Sequence, residues 1–259
     1  MRKLLCAWVA LFSSVTTMAH AAPIDLSGFQ INGDAQVQGS EIRLTDSSNS
    51  QRGSAFSQDA VALSPNGFRA MFELSIGRPG NSGADGIVFV MHNSALGPTA
   101  LGVGGGGIGY RGIGNSIAVE FDTWNNGFID LWSENHVGIN VNGSTFSRRR
   151  ANPGFDLDSA NFFAWVEYDG TSLDVSVSQS ATQPGTTLLS YTTDLSQLGG
   201  EAYIGFTAST GGARAEHRVR SFDFEVLATV PLPAGGVMLL TGLGALMVRR
   251  RVARTRASS

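Results

Sequence analysis

Cysteine is almost absent from this sequence, which has one among its 259 residues. That residue, Cys6, lies inside an apolar run near the N terminus, not just after it as a lipid-attachment cysteine would. If the run is removed on export, the mature chain contains no cysteine. A disulfide framework is therefore excluded, although an oxidising compartment is allowed.

The first residues have the layout of a secretory signal peptide. Arg2 and Lys3 precede the apolar run from Leu4 to Phe12, and small residues follow as far as Ala19-His20-Ala21. A basic start, a short apolar run and an A-x-A cleavage site are the three parts of such a signal. We therefore expect residues 1–21 to be removed and the remainder to be exported.

Basic side chains are scarce between residues 22 and 229. This segment has 11 arginines against 21 aspartates and glutamates, a formal charge of −10. So acidic a segment is a poor candidate for binding nucleic acid or an anionic membrane surface. Arg148-Arg149-Arg150 is a local exception, and we expect it to be a solvated loop. The length is that of one all-β domain.

The last residues, 230–259, have the features of a second targeting signal. Val230-Pro231-Leu232-Pro233-Ala234 is followed by an apolar stretch that ends at Val248 and by five arginines. The stretch is about 15 residues long, short of the ~20 that span a bilayer, so a weak transmembrane anchor is one interpretation. The order of the parts also resembles the VPLPA type of PEP-CTERM sorting signals. That resemblance implies a Gram-negative host, a sorting protease, delivery to the cell surface or extracellular matrix, and a transient or permanent anchor in the inner membrane.

Long amphipathic helical patterns are lacking, whereas short strand-like segments recur between turn residues. Arg69 to Ile76 alternates apolar and polar residues, and Gly86 to Met91 is an unbroken apolar run. Phe162 to Tyr168 and Leu173 to Val177 flank Asp169-Gly170, which is a hairpin signal. Further strands are predicted at residues 116–124, 202–208 and 219–226. This pattern predicts an all-β fold, a β-sandwich or jelly roll.

Two carboxylates occupy alternate positions of one predicted strand. Glu120 and Asp122 should point to the same face, because side chains alternate along a strand. Burying this pair is costly unless a cation neutralises it. The loop that follows adds three candidate ligands, Asn126, Asp130 and His136. Oxygen ligands suit calcium, and carboxylates mixed with imidazole suit manganese. The alternative interpretation is a half-buried strand with ordinary solvated acids.

Five short motifs follow one another between residues 84 and 211. They are A-D-G-I-V-F at 84–89, G-G-G-I-G at 105–109, V-E-F-D-T-W-N-N at 119–126, H-V-G-I-N-V-N at 136–142 and I-G-F-T-A-S-T-G at 204–211. In this order they resemble the motifs of the legume-type (L-type) lectins. The resemblance implies the concanavalin A-like jelly-roll β-sandwich and carbohydrate binding for residues 22–229.

The resemblance also assigns metal ligands. It implies two ions, Ca2+ and a transition ion such as Mn2+, held by Glu120, Asp122, Trp124, Asn126, Asp130 and His136. Glu120 and His136 would bind the transition ion, and the two aspartates would bridge both ions. Calcium would also take the Trp124 carbonyl oxygen and the Asn126 side chain. The spacing of Asp130 varies within the family, so an ordinary loop residue remains the alternative there.

The resemblance also implies a sugar site, and the metals would fix the loop that presents Asn126 to it. Asp85 would accept hydrogen bonds from two sugar hydroxyls, and Asn126 would donate one. A backbone N–H near Gly106 would donate another, since glycine lets the backbone approach a ligand closely. Trp124 would offer an apolar face. The loop around Gly211, residues 210–214, would decide which sugar fits; in this family the Ala-Asp bond that precedes the first ligand is often cis.

Two functions other than a lectin are compatible with parts of the sequence. Jelly-roll glycoside hydrolases resemble this fold and carry E-x-D-x-E, but the third position here is Trp124, so the proton donor of a retaining mechanism is missing. No other catalytic arrangement is recognisable, so we predict a protein that is not an enzyme. His92 and His217 are expected to be surface or packing residues. A structural matrix protein without sugar binding is the third hypothesis. The sequence leaves open which sugar is bound and whether the domain forms a homodimer.

Overall fold

Short strands dominate residues 24–77 and 83–227, the part of the chain that the computed structural model describes. The predicted signal peptide and sorting tail lie outside these residues. The strands are β1 (Gln30–Gly33), β2 (Gln36–Gln38), β3 (Glu41–Thr45), β4 (Arg52–Phe56), β5 (Val61–Ala62), β6 (Phe68–Gly77), β7 (Gly86–His92), β8 (Ser116–Asp122), β9 (His136–Val141), β10 (Arg149–Ala151), β11 (Phe162–Tyr168), β12 (Ser172–Ser178), β13 (Leu189–Thr192), β14 (Glu201–Ser209) and β15 (Glu216–Val226). Short 3-10 helices cover Leu26–Gly28, Gly97–Thr99, Gly105–Gly107 and Leu195–Leu198. Within the described ranges, no helix has the length and apolarity needed to cross a bilayer.

Two antiparallel sheets pack face to face. One has eight strands in the order β1-β4-β14-β7-β8-β9-β10, with β5 paired to β14, and the other has seven in the order β13-β12-β11-β6-β15-β3-β2. Neighbours in the sheets are distant in sequence, as when β14 inserts between β4 and β7. The prediction of an all-β jelly-roll sandwich is confirmed.

The main core lies between the sheets and is centred on Phe72. In β6, buried residues alternate with less buried ones, so one face of the strand points into the core. The Phe72 ring lies 5.1 Å from the ring of Phe89 and 5.1 Å from that of Phe206, both on the opposite sheet. Strand alternation and large aromatic side chains therefore join the two layers.

A second apolar cluster covers the outer face of the eight-stranded sheet. Every residue of β7 and β8 is buried, so these strands have protein on both faces. The cover comes from the connection between them, which contributes Ile108, Tyr110 and Ile113 to the cluster around Val88 and Val90. This second layer explains the unbroken apolar run of β7, and it places the alternate residues of β8 in a buried environment.

Most predicted strands are present, with two corrections. The strand predicted at residues 116–124 ends at Asp122, because the Trp124 N–H turns back to Asp122 Oδ1 at 2.8 Å. In the arginine cluster Arg148 and Arg149 are exposed, as predicted, whereas Arg150 is half-buried, and the cluster is not wholly a loop. Arg149–Ala151 forms β10, the edge strand that pairs with β9. The Arg149 guanidinium lies 5.8 Å from the centroid of the Tyr191 ring, a distance at which cation–π attraction operates.

Candidate functional site

Four strand ends meet at one end of the eight-stranded sheet. The register pairs Gly86 of β7 with Asp122 of β8 and with Ser209 of β14, and it pairs Asp122 with His136 of β9. The segments joined to these ends are therefore neighbours in space: residues 83–85, 123–135 and 210–215. The glycine loop at 102–109 joins them, because the Ser209 hydroxyl donates to the Gly105 carbonyl at 2.8 Å.

Acidic side chains and an imidazole are buried together beneath these loops. Glu120, Asp122, Asp130 and His136 are each no more than 3% exposed. One ligand atom each from Asp122, Asp130 and His136 lies within 4.8 Å of the others. The alternative of a half-buried strand with solvated acids is therefore wrong. Asp130 is likewise drawn into the cluster and is not an ordinary solvated loop residue.

Burial and mutual repulsion act on these carboxylates. Burial raises the pKa of Asp122 well above its usual value, and the charges of Glu120 and Asp130 raise it further. Burial also raises the pKa of Asp130, while a hydrogen bond from the Asn126 N–H opposes that shift. Both shifts disfavour ionised carboxylates in the protein alone. A bound cation would favour the ionised carboxylates instead, because its positive charge offsets their negative charges.

Glu120 is held beside this cluster by neighbouring side chains. Its Oε2 accepts from Asn140 Nδ2 at 2.5 Å, and its Oε1 lies 3.2 Å from His136 Nε2 and also accepts from the Ser147 hydroxyl. Sequence reasoning missed Asn140 and Ser147. The period-2 alternation of β9 carries the signal for Asn140, since it shares a face with His136. Ser147 lies in a loop and has no comparable signal.

The residues predicted to contact sugar also come together. Asp85 is 3% exposed and follows a cis peptide bond after Ala84, as the family resemblance implied. A Cβ on Gly106 would lie 2.6 Å from the Asn126 side chain, and one on Gly211 would lie 3.5 Å from Asp85 Oδ2. Glycine is therefore required at residue 106 for this approach to Asn126.

Asp85 is fixed by its backbone and perturbed by burial. Its N–H donates to the Ser209 carbonyl at 2.9 Å, and its carbonyl accepts from the Thr123 N–H at 3.1 Å. Burial raises the pKa of its carboxyl to about 7, although a hydrogen bond from the Asn126 side chain lowers it. The backbone of Asp85 is thus held between β14 and the loop that follows β8.

Several buried polar atoms at the site have no hydrogen-bond partner among the described residues. They are Asp85 Oδ2, Asn126 Oδ1, His136 Nδ1 and Asn140 Oδ1. Buried polar atoms are normally paired, and an orphaned group calls for a specific explanation such as an ion or ligand. Their concentration at this end of the sheet fits a site that binds an ion or a ligand.

Trp124 lies at the edge of the site, with 38% of its surface exposed. It borders a cavity of about 460 Å³, lined by Gly83, Thr123, Trp124, Asn125, Glu134, Asn135, Asp156 and Asp158. The lining is polar apart from the indole. Trp124 is therefore exposed beside this cavity, which none of the other residues predicted to contact sugar lines. Its contact with sugar stays a prediction.

The loop at residues 210–214 has a supporting segment that sequence reasoning missed. The Ser50 N–H donates to the Gly211 carbonyl at 3.1 Å, and Asn49 Nδ2 donates to the Gly212 carbonyl at 2.6 Å. Thr210 Oγ1 donates to the Ser48 carbonyl at 2.7 Å. Residues 48–50 thus hold the loop in place from the strand connection before β4.

The two other histidines in the described part of the chain are not part of the site. His92 and His217 are fully buried, which makes them packing residues and not surface residues. The neighbouring Glu216 forms an ion pair with Arg218 at 2.7 Å. Burial lowers the pKa of His217 to about 3.

Comparison with known proteins agrees with this geometry. A sequence model of the legume lectin domain matches residues 23–232. The chain belongs to the legume lectin family. It is 31% identical over 233 residues to the L-type lectin-domain containing receptor kinase VIII.1 of Arabidopsis thaliana, an alignment that covers 82% of this chain and 32% of the relative. The chain therefore spans about a third of the length of that relative.

Solved lectins share the fold. A lectin from Bauhinia forficata in complex with GalNAc superimposes with a TM-score of 0.66 at 25% identity, covering 79% of this chain and 95% of the other. Peanut lectin with a bound 9mer peptide gives a TM-score of 0.67 at 25% identity, covering 82% and 99%. Legume lectin domains bind carbohydrate and are not enzymes, so family membership favours the lectin prediction over a hydrolase.

Proposed function

We propose that this protein is an exported carbohydrate-binding lectin whose sugar-binding loops are ordered by calcium and a transition ion such as manganese. The observation that carries the proposal is that Asn126 contacts both the residues proposed to bind sugar and the buried acidic cluster. Asn126 touches Gly106 through its side chain and donates its backbone N–H to Asp130. Asp130 belongs to the buried acidic cluster, so the same loop serves sugar and metal.

The donor set fits the two ions. Glu120, Asp122, Asp130 and His136 offer carboxylates and an imidazole, the mixture that suits a transition ion. Asn126 Oδ1 is a buried amide oxygen with no partner in the described chain, and calcium favours such oxygen ligands. Asp122 and Asp130 would bridge the ions, and the Trp124 carbonyl would complete the calcium ligands. When bound, the metals would neutralise the charge of the carboxylates. That would keep the carboxylates ionised and hold the loop that carries Asn126 in place.

The sugar would be recognised by groups that this loop arrangement fixes in advance. Asp85 Oδ2 is buried and unpaired among the described residues, so it is ready to accept from sugar hydroxyls. The Asn126 amide and a backbone N–H near Gly106 would donate, and Trp124 would pack against the ring. Residues 210–214, with Gly211 beside Asp85, would select the sugar. Rigid placement lowers the entropy lost on binding.

Two observations argue against the glycoside hydrolase alternative. Glu120 is 1% exposed, and its oxygens accept from Asn140 and Ser147, so it is not free to act as a nucleophile. The position two residues after Asp122 is Trp124, which has no acidic proton to give a leaving group. A structural protein without sugar binding is disfavoured by the assembled Asp85 and Asn126.

A glycan array tests the proposal. Wild-type protein loaded with Ca2+ and Mn2+ should bind a restricted set of glycans, and Asp85→Asn should lose at least tenfold in affinity, because a charge-assisted hydrogen bond is worth ~1.5–3 kcal/mol. Asp59→Asn is the matched control, since Asp59 is exposed and lies outside the site. Absence of glycan binding, or equal binding by wild type and Asp85→Asn, would refute it.

Export and tail processing form a separate part of the proposal, and they rest on the sequence alone. The signal-like residues 1–21 would direct export, and residues 230–259 would act as a bacterial PEP-CTERM-type sorting signal recognised by a protease. Residues 230–234 include two prolines, a residue type that disfavours helix, so we expect a protease to bind this segment as an extended substrate.

Mass spectrometry of the protein from its native host checks this part. A mature chain that begins near Ala22 and ends close to Ala234 supports it. Recovery of chains that reach Ser259, found in the inner membrane alone, would show a permanent anchor. Neither result bears on whether the domain binds sugar.

A further inference from the structure

Exposed apolar side chains gather on the loop that carries Asn126. Phe128 is 70% exposed, Leu131 52% and Trp132 73%, and Phe146 from the turn after β9 is 48% exposed. The rings of Phe128 and Phe146 lie 6.0 Å apart. We call these four residues the aromatic knob. A cluster of large exposed apolar groups on a soluble domain marks a contact surface.

The loop holds the knob in a fixed conformation. Leu131 has φ 45° and Trp132 has φ 68°, left-handed values that are unfavourable for bulky residues. Hydrogen bonds maintain them: the Trp132 N–H donates to the Gly127 carbonyl at 2.9 Å, and Asn125 Nδ2 donates to the Trp132 carbonyl at 3.1 Å. Strain that is retained in this way points to a functional constraint on where these side chains lie.

The knob adjoins the proposed sugar site. A Cβ built on Gly127 would lie 3.6 Å from the Trp132 ring, so the indole rests on the backbone of the residue that follows Asn126. On its other side, Asn126 contacts Gly106. The indole is therefore one residue away from the amide that is proposed to bind sugar.

We propose that the aromatic knob is a second carbohydrate-contacting surface, which makes this protein bind polysaccharide chains more tightly than single sugars. This inference rests on the proposed function. One sugar unit would occupy the site at Asp85 and Asn126, and the following units would pack on Trp132 and Phe128. Aromatic side chains suit this task, because they offer a large rigid apolar face to the apolar face of a sugar ring.

The apolar surface of the knob suits an uncharged polysaccharide. The segment from residue 22 to residue 229 has a formal charge of −10, from 11 arginines against 21 acidic residues. None of the knob residues is charged. Arg148 and Arg149, two and three residues after Phe146, are exposed, so charge alone does not choose among ligands at the knob. An uncharged polysaccharide would meet no repulsion from these apolar residues.

Calorimetric titration with one sugar series tests the inference. The monosaccharide favoured on the array and its oligomers of increasing length are titrated into wild type, Trp132→Ala and Leu96→Ala, all loaded with metals. Leu96 is the matched control, since it is 49% exposed and follows the opposite end of β7. Wild type should bind the longer oligomers about tenfold or more tightly than the monosaccharide, as expected when an exposed tryptophan becomes a binding hot spot.

The expected pattern is specific. Trp132→Ala should abolish the gain with length and leave the monosaccharide affinity unchanged, whereas Leu96→Ala should match wild type. Wild-type affinity that is independent of length would overturn the inference but not the proposed function. So would a concentration-dependent dimer that Trp132→Ala dissociates with no effect on oligomer binding, because the knob would then contact a second copy. Failure of wild type to bind any sugar would overturn both.

Discussion

Gly138 is the cross-strand partner of Glu120, and a Cβ on Gly138 would lie 2.5 Å from Glu120 Oε1. The missing side chain on β9 thus makes room for the carboxylate on β8. The hydroxyl of Ser147 occupies the same space. The backbone register of two strands therefore determines where the acidic cluster can form.

Gly138→Ala should weaken metal binding. The added methyl group would displace Glu120 or Ser147, and overpacking of this kind costs ~1–3 kcal/mol. Calcium and manganese affinities, measured by calorimetry, should fall together with the melting temperature. Gly114→Ala is the control, because a Cβ there meets nothing within 4 Å. Equal metal affinities in the two variants would show that Glu120 is not constrained by this contact.

Removal of metal should destabilise the domain. Ligands that bind only the folded state stabilise it by mass action, by ~2.7 kcal/mol at a concentration 100 times the dissociation constant. For a domain of this size, the melting temperature should fall by about 5–10 °C in chelator. Differential scanning calorimetry with and without chelator, followed by re-addition of Ca2+ and Mn2+, measures this. The expectation is contradicted if the protein is purified without metal and its melting curve is the same with and without chelator.

The sequence predicted the parts of the fold that have strong patterns. The alternation of β6 and the apolar run of β7 made these strands visible, and the motifs around Asp85 and Asn126 located the proposed site. The short edge strands β2, β10 and β13 have three or four residues and little alternation, so they were missed or taken as loop. Their conformation depends on pairing with a neighbour more than on local preference.

His217 should make the protein sensitive to acid. Burial lowers its pKa from 6.5 to about 3. Between these pH values the unfolded chain binds a proton that the folded chain does not, so stability is lost as pH falls from 6.5 towards 3, by ~1.4 kcal/mol per pH unit. His217→Asn retains an amide that can bond to Thr45 Oγ1, which lies 2.6 Å from His217 Nδ1 in the wild type.

Urea unfolding at pH 6 and at pH 4.5 measures that effect. The free energy of unfolding should depend less steeply on pH in His217→Asn than in wild type, by about one proton. Some dependence should remain, because burial also lowers the pKa of His92, to about 4. If the free energy of unfolding changes with pH equally in the two proteins, folding does not prevent the protonation of His217.

Loop conformation was beyond sequence reasoning. The left-handed backbone of Leu131 and Trp132 comes from hydrogen bonds to Gly127 and Asn125, and neither residue type favours it. The tie between residues 48–50 and the loop at 210–214 joins segments about 160 residues apart, as in the Thr210–Ser48 bond. No local pattern encodes such a contact.

Phe72→Ala should be strongly destabilising. Its ring packs between the sheets against Phe89, Phe121 and Phe206, and deletion of a buried phenylalanine side chain costs ~3–5 kcal/mol. Phe128→Ala is the control, because that ring is 70% exposed, and its effect should stay within ~0.5 kcal/mol. Chemical denaturation with metal present compares them. Similar stabilities in the two variants would contradict the central place of Phe72 in the core.

The coupling between metal and sugar tests the central claim most directly. If Asn126 and Asp130 join the two sites, calcium must raise the affinity for glycan, and glycan must raise the affinity for calcium by the same factor. Calorimetric titrations of glycan with and without calcium, and of calcium with and without glycan, measure both factors. We predict that glycan binding disappears in chelator, returns with calcium, and gives equal factors in the two directions. Glycan affinity that is unchanged in the metal-free protein would contradict the account.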